Sequence, residues 1–396
     1  MNFPVIGVVG GGQLARMMAP EATNLGFHLR VLAEAADVSA VAAVSEAPVG
    51  DYRDLATLRQ FAAGVDVLTF DHEHVPNEHL QVLIEEGVNV QPRPAALIHA
   101  QDKLVMRAAI ERLGLPNPSW AGVASVDELI AFGHSIGWPV VLKTPRGGYD
   151  GKGVRMLDTA DDARNCADWF ADGSTLLAEE KVDFSRELSA LVARTPSGQT
   201  RSWPVVHTIQ VDGVCDEVIA PAPGLDPLAA QAAADAAQHI ATEFAVTGVM
   251  AAELFETPGR GPGFVINELA MRPHNTGHWT MNGSVTSQFE QHLRAVLDLP
   301  LGDTSALAEV TVMKNFLGGA NADLYSAFPA ALAAQPRAKV HAYGKSVRPG
   351  RKIGHVNVLG TPGQTVDDVR HAASQAATII RDGATPDAAS KGAPPR

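Results

Sequence analysis

Two glutamates on neighbouring apolar segments carry the chemistry that the sequence indicates most directly. Glu253 lies in the apolar run 249–255 and Glu268 in the run 264–270, and the linker between the runs is rich in glycine and proline. This pattern is typical of an antiparallel hairpin. If the loop is centred on residues 260 and 261, the two carboxylates face each other on one side of the ladder, where like charges destabilise a strand pair.

A divalent cation would reverse the sign of that interaction. Two carboxylates together with phosphate oxygens are hard ligands of the kind that magnesium prefers, so the pair predicts a magnesium site. A one-residue slip in register would undo the pairing. A solvent-facing acidic edge is the alternative interpretation.

A glycine-rich segment between two short β-like stretches is the second candidate. Residues 143–153 contain four glycines, between a strand that ends at Lys143 and one that begins at Val154. The segment lacks the order of a P-loop and no helix follows it, so it predicts a hairpin flap whose backbone amides fold over phosphates. Lys143, Arg146 and Lys152 would supply local positive charge. An ordinary flexible hairpin with solvated charges is the alternative.

A third candidate is the glycine turn near the amino terminus. Gly10-Gly11-Gly12 follows an apolar stretch, precedes a helical one and, with Ala15, satisfies the pattern G-x-G-x-x-A. Glu34 ends the next strand near the position at which an acidic residue would hold a ribose. The amides of such a turn bind any phosphate, so the motif indicates an anion site more directly than NAD. An NAD or FAD site, a purely structural turn and the phosphate of another substrate all stay open.

Two polar segments complete the set of candidates. Residues 271–279 are dense in polar side chains and directly follow an apolar strand, where loops collect binding groups. His274 could handle a proton because an unperturbed imidazole has a pKa near 6.5, or it could only hydrogen-bond a substrate. Arg348, Arg351 and Lys352 flank a Pro-Gly turn. This basic cluster suits a phosphate, and a solvated turn is the alternative.

Composition limits the partners of these groups. The chain has 396 residues, of which 46% are hydrophobic and 19% charged, so it can form two or three domains with sizeable cores. Its 31 basic and 44 acidic residues give a net charge of −13, opposite in sign to that of a nucleic-acid binder. We therefore expect no nucleic-acid partner, and anionic substrates need a local cluster of cations or a bound metal.

Cysteine usage and hydropathy indicate the compartment. Cys166 and Cys215 cannot form a disulfide framework and have no Cys/His metal spacing, which favours a reducing environment. The amino terminus lacks the basic and apolar regions of a signal peptide, and no run of 18 apolar residues occurs. We expect a cytoplasmic chain without a membrane partner.

The first of three blocks of elements contains the glycine turn. Apolar stretches at 5–9, 29–32, 65–70 and 88–90 alternate with helical segments, of which 13–25 follows the turn directly. This alternation predicts a parallel sheet flanked by helices.

The second and third blocks contain the flap, the glutamate pair and the basic cluster. The second begins with a helix over 102–113 and has short strands around glycine turns, which favours a mixed α+β arrangement. Within it, Asp226 as N-cap, Pro227 at the first position and Gly248 as terminator predict a long helix. The third block runs from about residue 299 and contains several short β-like segments.

The motifs together resemble those of ATP-grasp enzymes. RGGYDGKG occupies residues 146–153 and NELAMRPHNTGHWT occupies 267–280. With GGGQLARM at 10–17 and VRPGRKIGH at 347–355, they are similar to the motifs of the 5-(carboxyamino)imidazole ribonucleotide synthetases of purine biosynthesis. The resemblance spans about residues 5–360. Neither a dehydrogenase nor a generic ATP-grasp ligase carries both long motifs.

The resemblance implies a fold class of α/β and α+β. It implies an ATP-grasp fold with an amino-terminal parallel-sheet α/β domain and a small carboxy-terminal β-rich domain. The expected boundaries are 1–100 for the amino-terminal (pre-ATP-grasp) domain, 101–298 for the ATP-grasp domain, 299–384 for the carboxy-terminal domain and 385–396 for a disordered tail. A homodimer is implied as well.

The resemblance also implies the reaction. ATP, bicarbonate and 5-aminoimidazole ribonucleotide would give the carboxyamino product, ADP and phosphate, with magnesium on the ATP phosphates. Bicarbonate is a weak electrophile, so phosphoryl transfer would first make short-lived carboxyphosphate, which the closed flap shields from water. The alternatives are an NAD-dependent oxidoreductase, a non-catalytic nucleotide-binding protein and another ATP-grasp carboxylase.

Carried over by position, the nucleotide site takes residues from the flap, from nearby strands and from the glutamate pair. Contacts with ATP are expected from Lys103, Lys143, Gly148, Tyr149, Asp150, Gly151, Lys152, Gly153, Val154, Glu179, Glu180, Lys181, Val182, Glu187, Gln210, Asn267 and Glu268. Within this set, Glu179 to Val182 line the adenine slot and Glu187 holds the ribose hydroxyls. Glu253 and Glu268 carry magnesium.

The ribonucleotide site takes residues from all three blocks. Contacts are expected from Gly11, Gly12, Gln13, Leu14, Glu73, Tyr149, Arg272, His274, Asn275, Lys345, Arg351 and Lys352, and the catalytic groups are Lys143, Arg272, His274 and Lys345. Some positions depart from the family pattern. Lys103 stands where many members have arginine, Gln210 where histidine is common, and Asp71-His72 where a pair such as Glu-Ile is common.

Overall fold

The computed structural model describes residues 3–148 and 153–383. The strands in chain order are β1 (Val5–Val9), β2 (His28–Leu32), β3 (Val67–Phe70), β4 (Trp120–Val123), β5 (Val140–Lys143), β6 (Val154–Leu157), β7 (Leu176–Glu180), β8 (Arg186–Arg194), β9 (Thr200–Ser202), β10 (Val206–Val211), β11 (Val214–Ala220), β12 (Gly248–Glu256), β13 (Phe264–Ala270), β14 (Thr311–Leu317), β15 (Lys339–Ala342) and β16 (Lys352–Leu359).

Helices cover the faces of the sheets that these strands form. In chain order they are α1 (Gln13–Leu25), α2 (Leu55–Ala62), α3 (Asn77–Glu85), α4 (Pro94–Gln101), α5 (Lys103–Arg112), α6 (Val126–Ile136), α7 (Ala160–Arg164), α8 (Pro227–Glu243), α9 (Thr280–Gly283), α10 (Gln288–Val296), α11 (Leu324–Ala334) and α12 (Val366–Asp382). In the described part of the chain, none of them is both long and apolar enough to cross a bilayer.

The amino-terminal sheet has the strand order β2-β1-β3, and both strand pairs are parallel. This confirms the parallel sheet predicted from the sequence. The apolar stretch 88–90 does not extend it, since Val90 forms only an isolated parallel bridge with Leu68. Pro92 and Pro94 follow closely, and proline lacks the N–H group that a ladder requires.

A separate antiparallel sheet has the order β4-β7-β5-β6 and carries the glycine-rich segment. Lys143 pairs with Val154 at the end where the glycine-rich segment connects β5 to β6, so the predicted hairpin is confirmed. Its core is formed by residues of the strands and of α6, among them Leu129, Val140 and Leu142. The flap residues 149–152 lie outside the described residues.

The second and third blocks share one large sheet. Its strand order is β13-β12-β8-β10-β11-β14-β16-β15, with β9 attached to β8. β11 belongs to the second block and pairs antiparallel with β14 of the third, from Glu217 opposite Lys314 to Ala220 opposite Thr311. α11 and α12 cover the carboxy-terminal part, where residues such as Val356, Val369 and Ala373 are buried.

The predicted end of α8 is wrong. Asp226 caps the helix and Pro227 is its first residue, as predicted, but the helix stops at Glu243 and Gly248 begins β12. Ala245 takes the left-handed conformation (φ 48°), and the Val246 N–H donates to the Ala241 carbonyl at 2.9 Å. This is a Schellman ending with alanine in the position that glycine usually holds, so the sequence carries no glycine signal there.

Candidate active site

One large cavity opens where the three sheets meet, with a volume of about 1930 Å³. Gly12 at the start of α1, Lys143 at the end of β5, Glu268 in β13 and Lys345 between β15 and β16 all line it. Among the predicted site residues that the structure describes, every one except Gly153 lines this cavity. The predictions for Tyr149, Asp150, Gly151 and Lys152 fall outside the described residues.

The glutamate pair has the register predicted from the sequence. Glu253 in β12 lies directly opposite Glu268 in β13, so both side chains point to the same face of the sheet and into the cavity. A bulge follows, because Leu254 pairs with Ile266 and leaves Asn267 as the extra residue. Burial raises the pKa of Glu253 to about 7, and the neighbouring carboxylates of Glu268 and Glu187 act in the same direction.

The chemistry of this pair fits a divalent cation held jointly with a substrate. Among the described residues, no group of three or more His, Cys, Asp or Glu is arranged to hold a metal ion. Two carboxylates would therefore need further oxygen ligands, which nucleotide phosphates supply in magnesium sites. Lys103 Nζ contacts Glu268 Oε1, so that carboxylate already has a cationic partner, and His274 Nε2 lies 3.2 Å from Glu253 Oε1.

Lys103 is positioned by the start of α5. Asp102 caps the helix by accepting the N–H groups of Leu104 and Val105. The same carboxylate accepts a hydrogen bond from Arg146 Nε at 2.8 Å, and the Lys103 N–H donates to the Pro145 carbonyl at 2.9 Å. The beginning of the glycine-rich segment is thereby tied to the helix that carries Lys103.

Arg107, one helical turn after Lys103, was missed by the sequence analysis. Its side chain is buried and its guanidinium contacts Glu179, Asn117 and the carbonyl oxygens of Ile266 and Asn267. The Glu179 carboxylate also accepts from Lys143 Nζ at 2.6 Å. Burial would raise the pKa of Glu179, but the charges of Arg107 and Lys143 hold it below its ordinary value.

This arrangement joins the two halves of the expected nucleotide site. The guanidinium connects β7, which carries Glu179, to the bulge beside Glu268 in β13. The sequence signal that could have identified Arg107 is its spacing, since it lies four residues after Lys103 and therefore on the same face of the helix.

The residues expected to bind adenine and ribose lie on β7, directly after it, and on β8 and β10. Glu180, Lys181 and Val182 line the cavity together with Phe184 and Phe255, whose stacked rings have centroids 4.4 Å apart. The sequence analysis did not identify this aromatic pair.

Glu187 and Gln210 lie on adjacent strands and interact through a side-chain hydrogen bond. Burial raises the pKa of Glu187, and the hydrogen bond from Gln210 acts in the opposite direction. Gln210 thus contacts the residue expected to bind the ribose, and an amide can donate to a carboxylate here as histidine would.

Glu73 and Arg272 form a hydrogen-bonded ion pair at the other end of the cavity. Arg272 Nε donates to Glu73 Oε2 at 2.7 Å, and the Met271 N–H donates to Glu73 Oε1 at 3.1 Å. His274 Nδ1 lies 2.9 Å from Thr276 Oγ1. Burial, reinforced by the charges of Arg272 and Lys352, lowers the pKa of His274 well below its ordinary value. A neutral imidazole can donate one hydrogen bond and accept another.

The glycine turn presents helix amides to the cavity. α1 begins at Gln13 with Gly12 as N-cap and no side-chain cap, which leaves its first N–H groups available to an anion. Lys345 Nζ contacts Gln13 Oε1, and Arg351 Nη1 donates to Ser346 Oγ at 2.7 Å beside it. Asn275, which follows β13, exchanges hydrogen bonds with Asn315 in β14.

Glu34 does not play the part that a dinucleotide site would require. Its carboxylate accepts the Gly11 N–H at 3.0 Å and lies 3.4 Å from His72 Nε2. Burial acts to raise its pKa, but the hydrogen bonds from His72 and Gly11 outweigh burial and lower it to about 2. The carboxylate that would bind a ribose is therefore occupied by the turn itself.

Three family models match the chain in succession. A ribonucleotide synthetase preATP-grasp domain matches residues 3–101, an ATP-grasp domain matches 108–289 and a phosphoribosylaminoimidazole carboxylase carboxy-terminal domain matches 311–369.

Curated relatives cover most of the chain. The N5-carboxyaminoimidazole ribonucleotide synthase of Mycobacterium tuberculosis is 54% identical over 362 residues, covering 90% of this chain and 84% of that protein. The enzyme of the same name from Corynebacterium ammoniagenes is 52% identical over 365 residues, covering 91% and 88%.

Solved structures agree in fold. The N5-carboxyaminoimidazole ribonucleotide synthetase of Thermus thermophilus has a TM-score of 0.84 at 32% identity and covers 96% of this chain and 99% of its own. The Aspergillus clavatus enzyme in complex with ADP and 5-aminoimidazole ribonucleotide has a TM-score of 0.85 at 30% identity, with the same coverage. The chain therefore belongs to the N5-carboxyaminoimidazole ribonucleotide synthase family of ATP-grasp ligases.

Proposed function

We propose that this chain carboxylates 5-aminoimidazole ribonucleotide with bicarbonate, at the expense of one ATP, through carboxyphosphate. The observation that carries the proposal is the single cavity in which Lys143, the Glu253–Glu268 pair and Lys345 all lie. Phosphate-binding cations, a carboxylate pair suited to magnesium and a second anion site are the parts that such a reaction requires. The family of the chain supports the same reaction.

The nucleotide would lie between the four-stranded sheet and the glutamate pair. Magnesium, held by Glu253, Glu268 and the phosphates, would neutralise charge on the transferring phosphoryl group. Lys143 would add positive charge near the phosphates, where Glu179 fixes its ammonium. Phe184 and Phe255 form an apolar wall suited to the base.

The ribonucleotide would lie at the opposite end of the cavity. Its 5′-phosphate suits the uncapped start of α1 together with Lys345, Arg351 and Lys352. Arg272, held by Glu73, would face the carboxyphosphate, and His274 would donate or accept one hydrogen bond as a neutral imidazole. The flap would exclude water while the intermediate exists.

The proposal includes a division of the chain at about residues 100, 298 and 384, a homodimer and a cytoplasmic location. The family resemblance supports the first two. The absence of a disulfide framework in the sequence supports the third.

Phosphate release from ATP tests the proposed reaction. We expect the rate with bicarbonate to rise strongly when 5-aminoimidazole ribonucleotide is added, and the carboxyamino product to form in step with ADP. An NAD-dependent oxidoreductase would bind NAD and release no phosphate. A non-catalytic nucleotide-binding protein would bind ATP without responding to the ribonucleotide. Either result would contradict the proposal.

Replacing one phosphate-binding cation tests the ribonucleotide end separately. Lys345→Met removes a half-buried ammonium beside Gln13, and a lost hydrogen bond to a charged group costs about 1.5–3 kcal/mol. We expect KM for the ribonucleotide to rise roughly tenfold to hundredfold, with ADP affinity unchanged. Steady-state kinetics and ADP titration measure the two effects. Lys339→Met, an exposed position in β15, is the control, and an unchanged KM in Lys345→Met would remove Lys345 from the site.

A further inference from the structure

Asp71 is a buried carboxylate to which the proposed function assigns no role. It directly follows β3, at the carboxyl end of the parallel sheet and beside the glycine turn. Asp71 is only 8% exposed, and its exposed part lines the cavity. Within residues 3–148 and 153–383, its carboxylate accepts no hydrogen bond from another side chain or from the backbone. Because Asp71 lines the cavity, a donor from solvent or from a bound substrate can reach its carboxylate.

The glycine turn is shaped around this carboxylate. A Cβ atom at Gly12 would lie 2.1 Å from Asp71 Oδ2, a distance that no side chain could tolerate without displacing the carboxylate. A Cβ atom at Gly10 would lie 3.0 Å from the Asp71 Cβ atom. The absence of side chains at the turn therefore allows Asp71 to approach the same helix start that faces the ribonucleotide.

Neighbouring carboxylates are already occupied. Glu73 accepts hydrogen bonds from Arg272 and the Met271 N–H, and Glu34 accepts the Gly11 N–H and faces His72. Asp71 thus keeps its oxygens available to donors of a bound substrate.

The charged groups that face Asp71 come from every element around it. They are His72 on its own loop, Glu34 after β2, Arg272 after β13 and Lys345 before β16. Burial raises the pKa of Asp71 to about 6, and His72, Arg272 and Lys345 only partly oppose burial. Arg272, placed at the proposed carboxyphosphate, and Lys345, placed at the proposed 5′-phosphate, thus both act on Asp71 electrostatically.

We propose that Asp71 accepts a proton from the exocyclic amine of the ribonucleotide during carboxylation, an inference that rests on the proposed function. The amine nitrogen bonds to the carboxyphosphate carbon as the bond from that carbon to the phosphate oxygen breaks. Phosphate leaves with the electron pair of the broken bond. One of the two amine protons passes to Asp71, which afterwards returns it to solvent.

Asp71 is better suited to this step than His274. A general base is most effective when its pKa lies near the working pH. His274 has a pKa well below its ordinary value and is therefore a weak base, whereas Asp71 keeps its charge near neutral pH and binds a proton more strongly than an exposed aspartate.

The number of product molecules formed per ADP tests this role. Making carboxyphosphate does not require the amine to lose a proton, so Asp71→Asn should still form ADP when bicarbonate and ribonucleotide are present. We expect ADP formation within a few-fold of wild type but at least about a tenfold fall in product per ADP, because stalled carboxyphosphate hydrolyses. Asp71→Glu retains a carboxylate and should keep most of the coupling. Asp51→Asn, at an exposed position of the same domain, is the control.

The pH profile and a second variant complete the test. Protonation removes the acceptor, so wild-type kcat/KM for the ribonucleotide should fall as pH drops through about 6, and this acid limb should be lost in Asp71→Asn. If Asp71→Asn does not fold, Asp71→Ser removes the carboxylate with a smaller side chain and should uncouple in the same way. Wild-type coupling in a folded Asp71→Asn would overturn the proposal. Failure of the wild type to form any product would instead overturn the proposed function.

Discussion

Glu268→Gln should reduce ribonucleotide-dependent phosphate release by about a hundredfold or more while leaving the fold intact. The amide keeps the shape of the side chain but removes the negative charge that, with Glu253 directly opposite, would hold magnesium. Lys103 would also lose its ion-pair partner. Phosphate release at saturating magnesium measures the effect, and thermal unfolding checks that the variant is folded.

Glu111→Gln is a matched control for that variant. Glu111 is exposed and lies on α5, the helix that carries Lys103, so it has the same change in charge outside the cavity. We expect its rate to equal that of wild type. A near-normal rate in Glu268→Gln would show that the glutamate pair does not carry the metal.

Arg107→Met should destabilise the protein by about 3–5 kcal/mol, the usual cost of removing one partner from a buried ion pair. Arg107 is only 1% exposed, and its loss leaves the Glu179 carboxylate with Lys143 as its charged partner and strips the donor from two carbonyl groups. Turnover should fall too, because the same guanidinium fixes β7 against the bulge beside Glu268. Denaturant unfolding and phosphate release measure the two effects.

The loss of stability in Arg107→Met should depend on pH because of Glu179. Its pKa lies below the ordinary value in the folded protein, so the pair stabilises the fold above that ordinary value, and the stabilisation is lost as pH falls through the folded pKa. The difference between wild type and Arg107→Met should therefore be largest near neutral pH and narrow in acid. Arg107→Lys keeps the charge without the planar fork and should lie between them. Arg112→Met, exposed on the same helix, is the control, and a difference that does not depend on pH would contradict this account.

Much of the site could be predicted because its parts are local in sequence. The β12–β13 hairpin joins two apolar runs through a turn-rich linker, so its centre fixed the register of Glu253 and Glu268 without any distant contact. The β5–β6 hairpin and the turn before α1 are equally local. The bulge at Asn267 could not be predicted, because an extra residue in a strand leaves no compositional signal.

The missed residues depend on contacts between distant segments. Arg107 is buried because β7 and β13 meet it from opposite sides, whereas its position in α5 alone is typical of a surface arginine. Phe184 and Phe255 become stacked only when the ends of neighbouring strands converge. Asp71 lies in a segment that the sequence analysis noted only because it departs from the family pattern, without assigning it a role. The early end of α8 followed from an alanine in a conformation that favours glycine.

The continuity of the large sheet has a consequence for the geometry of catalysis. Glu268 lies on β13 at one edge and Lys352 begins β16 near the other, so a continuous series of interstrand hydrogen bonds connects the proposed magnesium ligands with the proposed anchor for the sugar phosphate. The four-stranded sheet that carries the flap is not part of this series. If the flap closes over the nucleotide as proposed, that movement would leave the distance between these two proposed sites unchanged, because the large sheet links them directly.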